Sequence, residues 1–113
     1  GFITASALAF DNEIGFLAIR KTNKLPGKVI GINYQLEYGN DRLEIQKDLI
    51  KKDSKILLID DLLATGGTAS AAGKLINEAG GILIGYGFLI ELTKLSGRKN
   101  LDNMLFIESV IKY

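Results

Sequence analysis

The sequence predicts an α/β fold: a mostly parallel sheet flanked by helices, with an inserted β-hairpin. Three observations carry that expectation. Residues 55–59 and 82–92 are continuous apolar runs of strand length, of the kind buried on both faces. The stretch between them has helical periodicity, and strand, helix, strand in succession gives a parallel pair joined by a crossover. Residues 28–47 instead alternate apolar with polar around a Gly39-Asn40-Asp41 turn, which marks the hairpin.

In chain order, residues 2–12 read as a helix with Ile3, Ala7 and Phe10 on one face, weakened beyond Asp11-Asn12. Residues 14–20 form a short apolar run ending in charge, consistent with a buried strand, and 21–28, with Asn23, Pro26 and Gly27, are a loop. The first hairpin strand, 28–38, places Ile30, Ile32, Tyr34 and Leu36 on one face. The second, 42–47, alternates through Leu43 and Ile45. After the strand at 55–59, Ala72, Leu75, Ile76 and Ala79 follow i, i+3, i+4, i+7 spacing, and Gly80-Gly81 stop the helix. Residues 82–92 are the next strand, 93–101 a loop or short helix, and 104–111 a last strand. Tyr34 and Tyr86 read as packing residues.

The 113 residues fit one domain, 1–113, with room for a single core. A net charge of +1 without a basic stripe gives no footprint for nucleic acid or an anionic membrane. There is no cysteine and no histidine, which excludes thiolate metal sites and both Ser-His-Asp and Cys-His catalysis. Proton transfer would fall to a carboxylate, Lys, Tyr or the substrate itself. No apolar run approaches the roughly 20 residues that span a bilayer, the longest being broken by Gly85 and Gly87.

The chemistry concentrates where the 55–59 strand meets the following helix, in Asp60-Asp61-Leu62-Leu63-Ala64-Thr65-Gly66-Gly67-Thr68. In an open parallel sheet, ligands bind beyond the carboxyl ends of the strands. A Gly-rich turn lets backbone approach a phosphate, which the free N–H groups and dipole of the next helix then hold. Thr65 and Thr68 add hydroxyl donors. Two adjacent carboxylates would repel a bare phosphate, so Asp60 and Asp61 must face something else, such as ribose hydroxyls or a cation. A sugar phosphate meets both demands, and magnesium could bridge sugar and pyrophosphate. The plainer alternative is a tight strand-to-helix turn with Asp60 or Asp61 as helix N-cap. Neither a Walker-type loop nor a Gly-x-Gly-x-x-Gly after a strand occurs.

At these residues the sequence resembles the type I phosphoribosyltransferases, whose shared signature is the paired acids and the Thr-Gly-Gly-Thr loop. Arg20-Lys21-Thr22-Asn23-Lys24-Leu25-Pro26-Gly27, Leu36-Glu37-Tyr38-Gly39 and Leu43-Glu44-Ile45-Gln46-Lys47-Asp48 resemble the adenine-specific branch, as do Leu89-Ile90-Glu91-Leu92 and Gly97-Arg98. The resemblance covers essentially the whole chain. It implies transfer of the 5-phosphoribosyl group of phosphoribosyl pyrophosphate to adenine, giving AMP and pyrophosphate in purine salvage. Ala64, Thr65, Gly66, Gly67 and Thr68 would hold the 5′-phosphate, and Asp60 and Asp61 would meet the ribose hydroxyls. Arg20 and Lys24 would contact pyrophosphate. Glu37 would be the catalytic carboxylate assisting proton movement at adenine, Tyr38 its neighbour in a closing loop, and Leu92 an apolar flank of the purine. Mg2+ is expected through the bound substrate, with no direct protein ligand. A cytoplasmic homodimer, with no nucleic-acid or membrane partner, is also expected.

In that family a basic pyrophosphate-binding segment, the central first strand and a small hood precede the equivalent of Gly1-Phe2. The sequence is therefore expected to be a type I core incomplete at its N-terminus, poorly stable and weak or inactive alone. Two other readings stay open: a transferase for hypoxanthine, xanthine or orotate, and a regulator that binds the sugar pyrophosphate without turnover.

Overall fold

The computed structural model describes residues 1–36 and 38–113. Its elements are α1 (Phe2–Asp11), β1 (Ile19–Lys21), β2 (Val29–Leu36), β3 (Gly39–Gln46), β4 (Lys55–Leu63), α2 (Gly67–Glu78), β5 (Ile82–Glu91) and β6 (Phe106–Lys112). Two 3₁₀ turns, Thr93–Leu95 and Gly97–Asn100, join β5 to β6.

The α/β class holds, with the hairpin in a sheet of its own. An antiparallel sheet has the order β1-β3-β2, and a parallel sheet the order β4-β5-β6. Helix α2 is the crossover between β4 and β5 and touches both sheets. Its Ala69, Ala71, Ala72, Leu75 and Ile76 are buried with Leu43 and Ile45 of the hairpin sheet and Leu58, Leu63, Leu83, Tyr86 and Phe88 of the parallel sheet. The alanines keep the helix thin where sheets approach from two sides.

Five expectations need correction, the first being the Gly39-Asn40-Asp41 turn, since these residues open β3 and pair with Leu36, Gln35 and Tyr34. Residues 13–18 are irregular and only Ile19–Lys21 pair, because three residues are all that β3 meets in register on that side. The face of α1 carrying Ile3 and Phe10 is solvent-exposed, and Ala9 is the residue the helix buries. Strand β4 does not stop at Ile59 but runs on to Leu63, since Leu62 and Leu63 still pair with Ile90 and Glu91. The parallel sheet is not buried on both faces: Leu57, Ile82, Ile84 and Phe106 remain about half exposed. Helix α2 packs on the sheet and α1 also meets β4, but these side chains keep about half their surface exposed.

The ladder between β4 and β5 slips once. Ile56 pairs with Leu83 and Leu57 with Gly85, so Ile84 is an extra residue. A bulge exchanges the two faces of a strand. The buried positions of β5 accordingly move from Leu83 to Tyr86 and Phe88.

Candidate functional site

The carboxyl end of β4 delivers Asp60 and Asp61 and then turns into α2 through Ala64, Thr65 and Gly66. The Asp61 N–H donates to Asp60 Oδ1 at 2.8 Å, which orients the first carboxylate. Both carboxylates face the backbone nitrogen of Gly1, at 2.9 Å from Asp61 and 3.5 Å from Asp60. They remain accessible, and a hollow of about 300 Å³ lined by Gly1, Phe2, Ile3 and Asp61 opens beside them.

The N-cap of α2 is Gly66, and no side chain caps the helix. The reading of Asp60 or Asp61 as N-cap is therefore set aside, and the first helical N–H groups are left for another acceptor. Gly66 is in the left-handed region, φ 86°. A side chain there would be both strained and driven into the carbonyl oxygen of Gly97. The fit is reciprocal, because a Cβ on Gly97 would collide with the carbonyl oxygen of Ala64. Asn100 Nδ2 donates to the Thr65 carbonyl at 2.6 Å, and Thr68 Oγ1 donates to the Tyr34 hydroxyl at 3.4 Å. The loop is thus clamped by the Gly97–Asn100 turn on one side and touched by the hairpin on the other.

Gly97, Asn100 and Tyr34 were not among the site residues read from the sequence. Tyr34 does more than pack. The Gly97-Arg98 pair was visible as a motif, but nothing in its spacing tied it to a loop some thirty residues earlier.

Leu92 follows β5 directly and is half-buried. Its N–H donates to the Leu63 carbonyl at 2.9 Å, which brings it to the same sheet end as the loop. Arg20, on β1, lies with its guanidinium carbon 5.0 Å from the Phe2 ring centroid. Phe2 in turn meets Phe16 edge-on at 6.5 Å. Because Phe2 adjoins Gly1, Arg20 stands on the side where Asp60 and Asp61 converge. Lys24 is exposed in the loop between β1 and β2. Tyr38, beside the hairpin tip, is 95% exposed and covers nothing in this arrangement. Glu37 lies outside the described residues.

Among the described residues, no three acidic, histidine or cysteine side chains cluster as a metal cage. Two accessible carboxylates fit a hydrated, oxygen-seeking cation that a diphosphate would carry in with it. Also among the described residues, no helix is long and apolar enough to cross a membrane.

The phosphoribosyl transferase domain family matches residues 1–111. An adenine phosphoribosyltransferase of Prochlorococcus marinus (strain NATL1A) is 73% identical over all 113 residues, and the chain spans 66% of its length. The crystal structure of adenine phosphoribosyltransferase from Thermoanaerobacter pseudethanolicus superposes with a TM-score of 0.95 at 46% identity, over 100% of this chain and 65% of that one. The Trypanosoma brucei adenine phosphoribosyltransferase, solved with AMP, pyrophosphate and ribose-5-phosphate, gives a TM-score of 0.87 at 28% identity, over 99% and 52%. The family model covers the paired carboxylates at the strand end, the left-handed glycine turn and the uncapped helix start, and, matched nearly end to end, the chain belongs to the phosphoribosyltransferase family.

Proposed function

We propose that the protein containing this chain transfers the 5-phosphoribosyl group of phosphoribosyl pyrophosphate to adenine, forming AMP and releasing pyrophosphate. One observation carries the reading: the uncapped N-terminus of α2, entered through left-handed Gly66, lies on the same strand end as the accessible pair Asp60 and Asp61. That end offers donors to a phosphate and acceptors to sugar hydroxyls, the two halves of a ribose 5-phosphate. Adenine is supported by what the relatives are called and by the ligands of the Trypanosoma brucei structure.

In this reading Ala64, Thr65, Gly66, Gly67 and Thr68 bind the 5′-phosphate through backbone N–H groups and hydroxyls. Asp60 and Asp61 take the 2′- and 3′-hydroxyls. Arg20 and Lys24 receive the pyrophosphate, whose departure breaks the C1′–O bond and carries off the electron pair. The adenine N9 forms the new bond to C1′ and gives up its proton, with Glu37 assisting. Leu92 flanks the purine, and Tyr38 belongs to the hairpin tip that closes over the reactants and excludes water. Mg2+, held by the substrate, supplies charge neutralisation at the diphosphate. Homodimer assembly and a cytoplasmic location accompany this reading.

The test is pyrophosphate release by the full-length protein from phosphoribosyl pyrophosphate with magnesium. Release that depends on adenine supports the reading, and equal or faster turnover of hypoxanthine refutes the base. Glu37→Ala is expected to lower kcat with little change in KM; unchanged kinetics would remove its catalytic role.

A further inference from the structure

The segment between β1 and β2 has no regular structure, yet it is fastened along its length to β3. Just before it, Lys21 at the end of β1 places Nζ 2.8 Å from Asp41 Oδ2. The Asn23 N–H donates to Glu44 Oε1 at 2.9 Å, Gln46 Nε2 donates to the Pro26 carbonyl at 3.2 Å, and the Lys47 N–H donates to the Lys28 carbonyl at 2.9 Å. The Leu43-Glu44-Ile45-Gln46 motif, given no role above, is the mould of the Lys24 loop.

Glu44 is the unusual member. It is 6% exposed, and a carboxylate buried that far is costly unless its oxygens are bonded. Oε1 holds Asn23, whose φ of 63° marks a left-handed turn immediately before Lys24. Oε2 accepts from Arg42 Nε at 3.2 Å. The Arg42 guanidinium lies across Gly31, where any Cβ would collide with it. In the ladder Glu44 stands between Gly31 and Arg20, so Arg20 projects from the same face. Arg20 nevertheless lies over Phe2, and the oxygens of Glu44 go to Asn23 and Arg42.

We propose that Glu44 is a positioning residue for the pyrophosphate site: its buried carboxylate fixes the turn at Asn23 and so presents Lys24 alongside Arg20. The inference rests on the reading that those two cations meet pyrophosphate. A neutral apolar residue at this place would satisfy the fold's need for bulk but would leave the Asn23 N–H unbound and the turn free to relax. Lys24 would then sample many positions, and pyrophosphate would bear the entropy of ordering it.

The experiment compares two ligands in the full-length protein. Pyrophosphate needs the cation loop; AMP, which lacks pyrophosphate, does not. With Glu44→Ala, pyrophosphate affinity is expected to fall by about tenfold or more and AMP affinity to change by less than about twofold. Glu44→Gln keeps an oxygen for Asn23 and is expected to lose only about threefold in pyrophosphate affinity, again sparing AMP. Should Glu44→Ala fail to fold, the ratio of the two affinities in Glu44→Gln decides alone. Parallel loss of both ligands, or an unchanged ratio, overturns the proposal. Arg20→Ala and Lys24→Ala run beside them. If these leave pyrophosphate binding intact, the assignment of the cations fails; if they weaken it while the Glu44 variants do not, only the positioning role fails.

Discussion

Arg98 grips the buried carboxylate of Glu91 with two bonds, Nε to Oε2 at 2.8 Å and Nη2 to Oε1 at 2.8 Å. Ser109 Oγ donates to Oε1 at 2.7 Å, and Arg98 Nη1 reaches the Ile107 carbonyl at 3.1 Å. The group therefore ties the end of β5 to β6 and to the turn that starts at Gly97. Leu92 follows Glu91, and Gly97 precedes Arg98, so the ion pair stands behind both the candidate purine flank and the clamp on the candidate phosphate loop.

The first prediction concerns acid. Bonds from Arg98 hold the Glu91 carboxyl down to about 2, against the opposing effect of burial. Its ordinary value is 4.5, so the folded protein binds fewer protons here than the unfolded chain. The stabilisation is fully present above about pH 4.5 and is lost as pH falls toward about 2. Arg98→Ala, which strands the buried carboxylate, is expected to cost roughly 3 kcal/mol near neutral pH. That cost should shrink in acid, where the variant's Glu91 is protonated. Urea unfolding of both proteins at about pH 6 and about pH 3 checks it; a pH-independent difference would contradict the assignment.

A second prediction follows from the paired glycines. A side chain on Gly66 would run into the Gly97 carbonyl oxygen, and one on Gly97 into the Ala64 carbonyl oxygen at the start of the same loop. Gly66→Ala adds left-handed strain of roughly 1 kcal/mol or more to that collision. Gly97→Ala lies outside the loop, yet it is expected to weaken AMP binding about tenfold, as Gly66→Ala does. Isothermal titration with AMP measures both. A Gly97→Ala protein with unaltered affinity would show that the clamp is not needed for phosphate binding.

Much of this architecture was legible because it rests on local pattern. The two apolar runs, the helix carrying Ala72, Leu75 and Ile76, and its Gly80-Gly81 stop could be read from residue periodicity. The loop from Ala64 to Thr68 was legible for the same reason, since a glycine turn and a free helix start are neighbours in sequence. What could not be read was set by distant partners. The length of β4 depends on Ile90 and Glu91 continuing to pair with it. The exposure of Ile3 and Phe10 depends on what packs against α1, which helical spacing does not encode. Gly97, Asn100 and Tyr34 reach the loop across 31 to 35 residues, and no short motif announces such contacts.

Gly73 gives a third prediction in which two effects oppose each other. In an exposed helix interior, Gly→Ala stabilises by about 1 kcal/mol. Here a Cβ would stand 2.9 Å from the Tyr86 hydroxyl and 3.0 Å from Leu83 Cδ2. Tyr86 is 3% exposed and stacks on Phe88 at 6.3 Å, so its ring cannot swing away. Overcrowding of this kind costs about 1–3 kcal/mol and should win. Gly73→Ala is expected to lower the Tm, and Tyr86→Phe in the same protein to recover part of the loss by removing the oxygen. A double variant no more stable than Gly73→Ala would place the crowding elsewhere.

The last prediction separates two roles of the Thr68 hydroxyl. Its single proton is given to the Tyr34 hydroxyl in this structure, across 3.4 Å, a long and exposed bond worth little. A bound 5′-phosphate offers a charged acceptor, and charge-assisted bonds are roughly twice as strong as neutral ones. The proton should therefore turn from Tyr34 to the phosphate when ligand arrives. Tyr34→Phe removes only the weaker partner and is expected to change AMP affinity by less than about threefold. Thr68→Val removes the donor itself and is expected to weaken AMP about tenfold or more. A Tyr34→Phe loss as large as that of Thr68→Val would instead mean that the hydroxyl is held for the phosphate by the hairpin. Docking of β2 on the loop would then be part of the binding site.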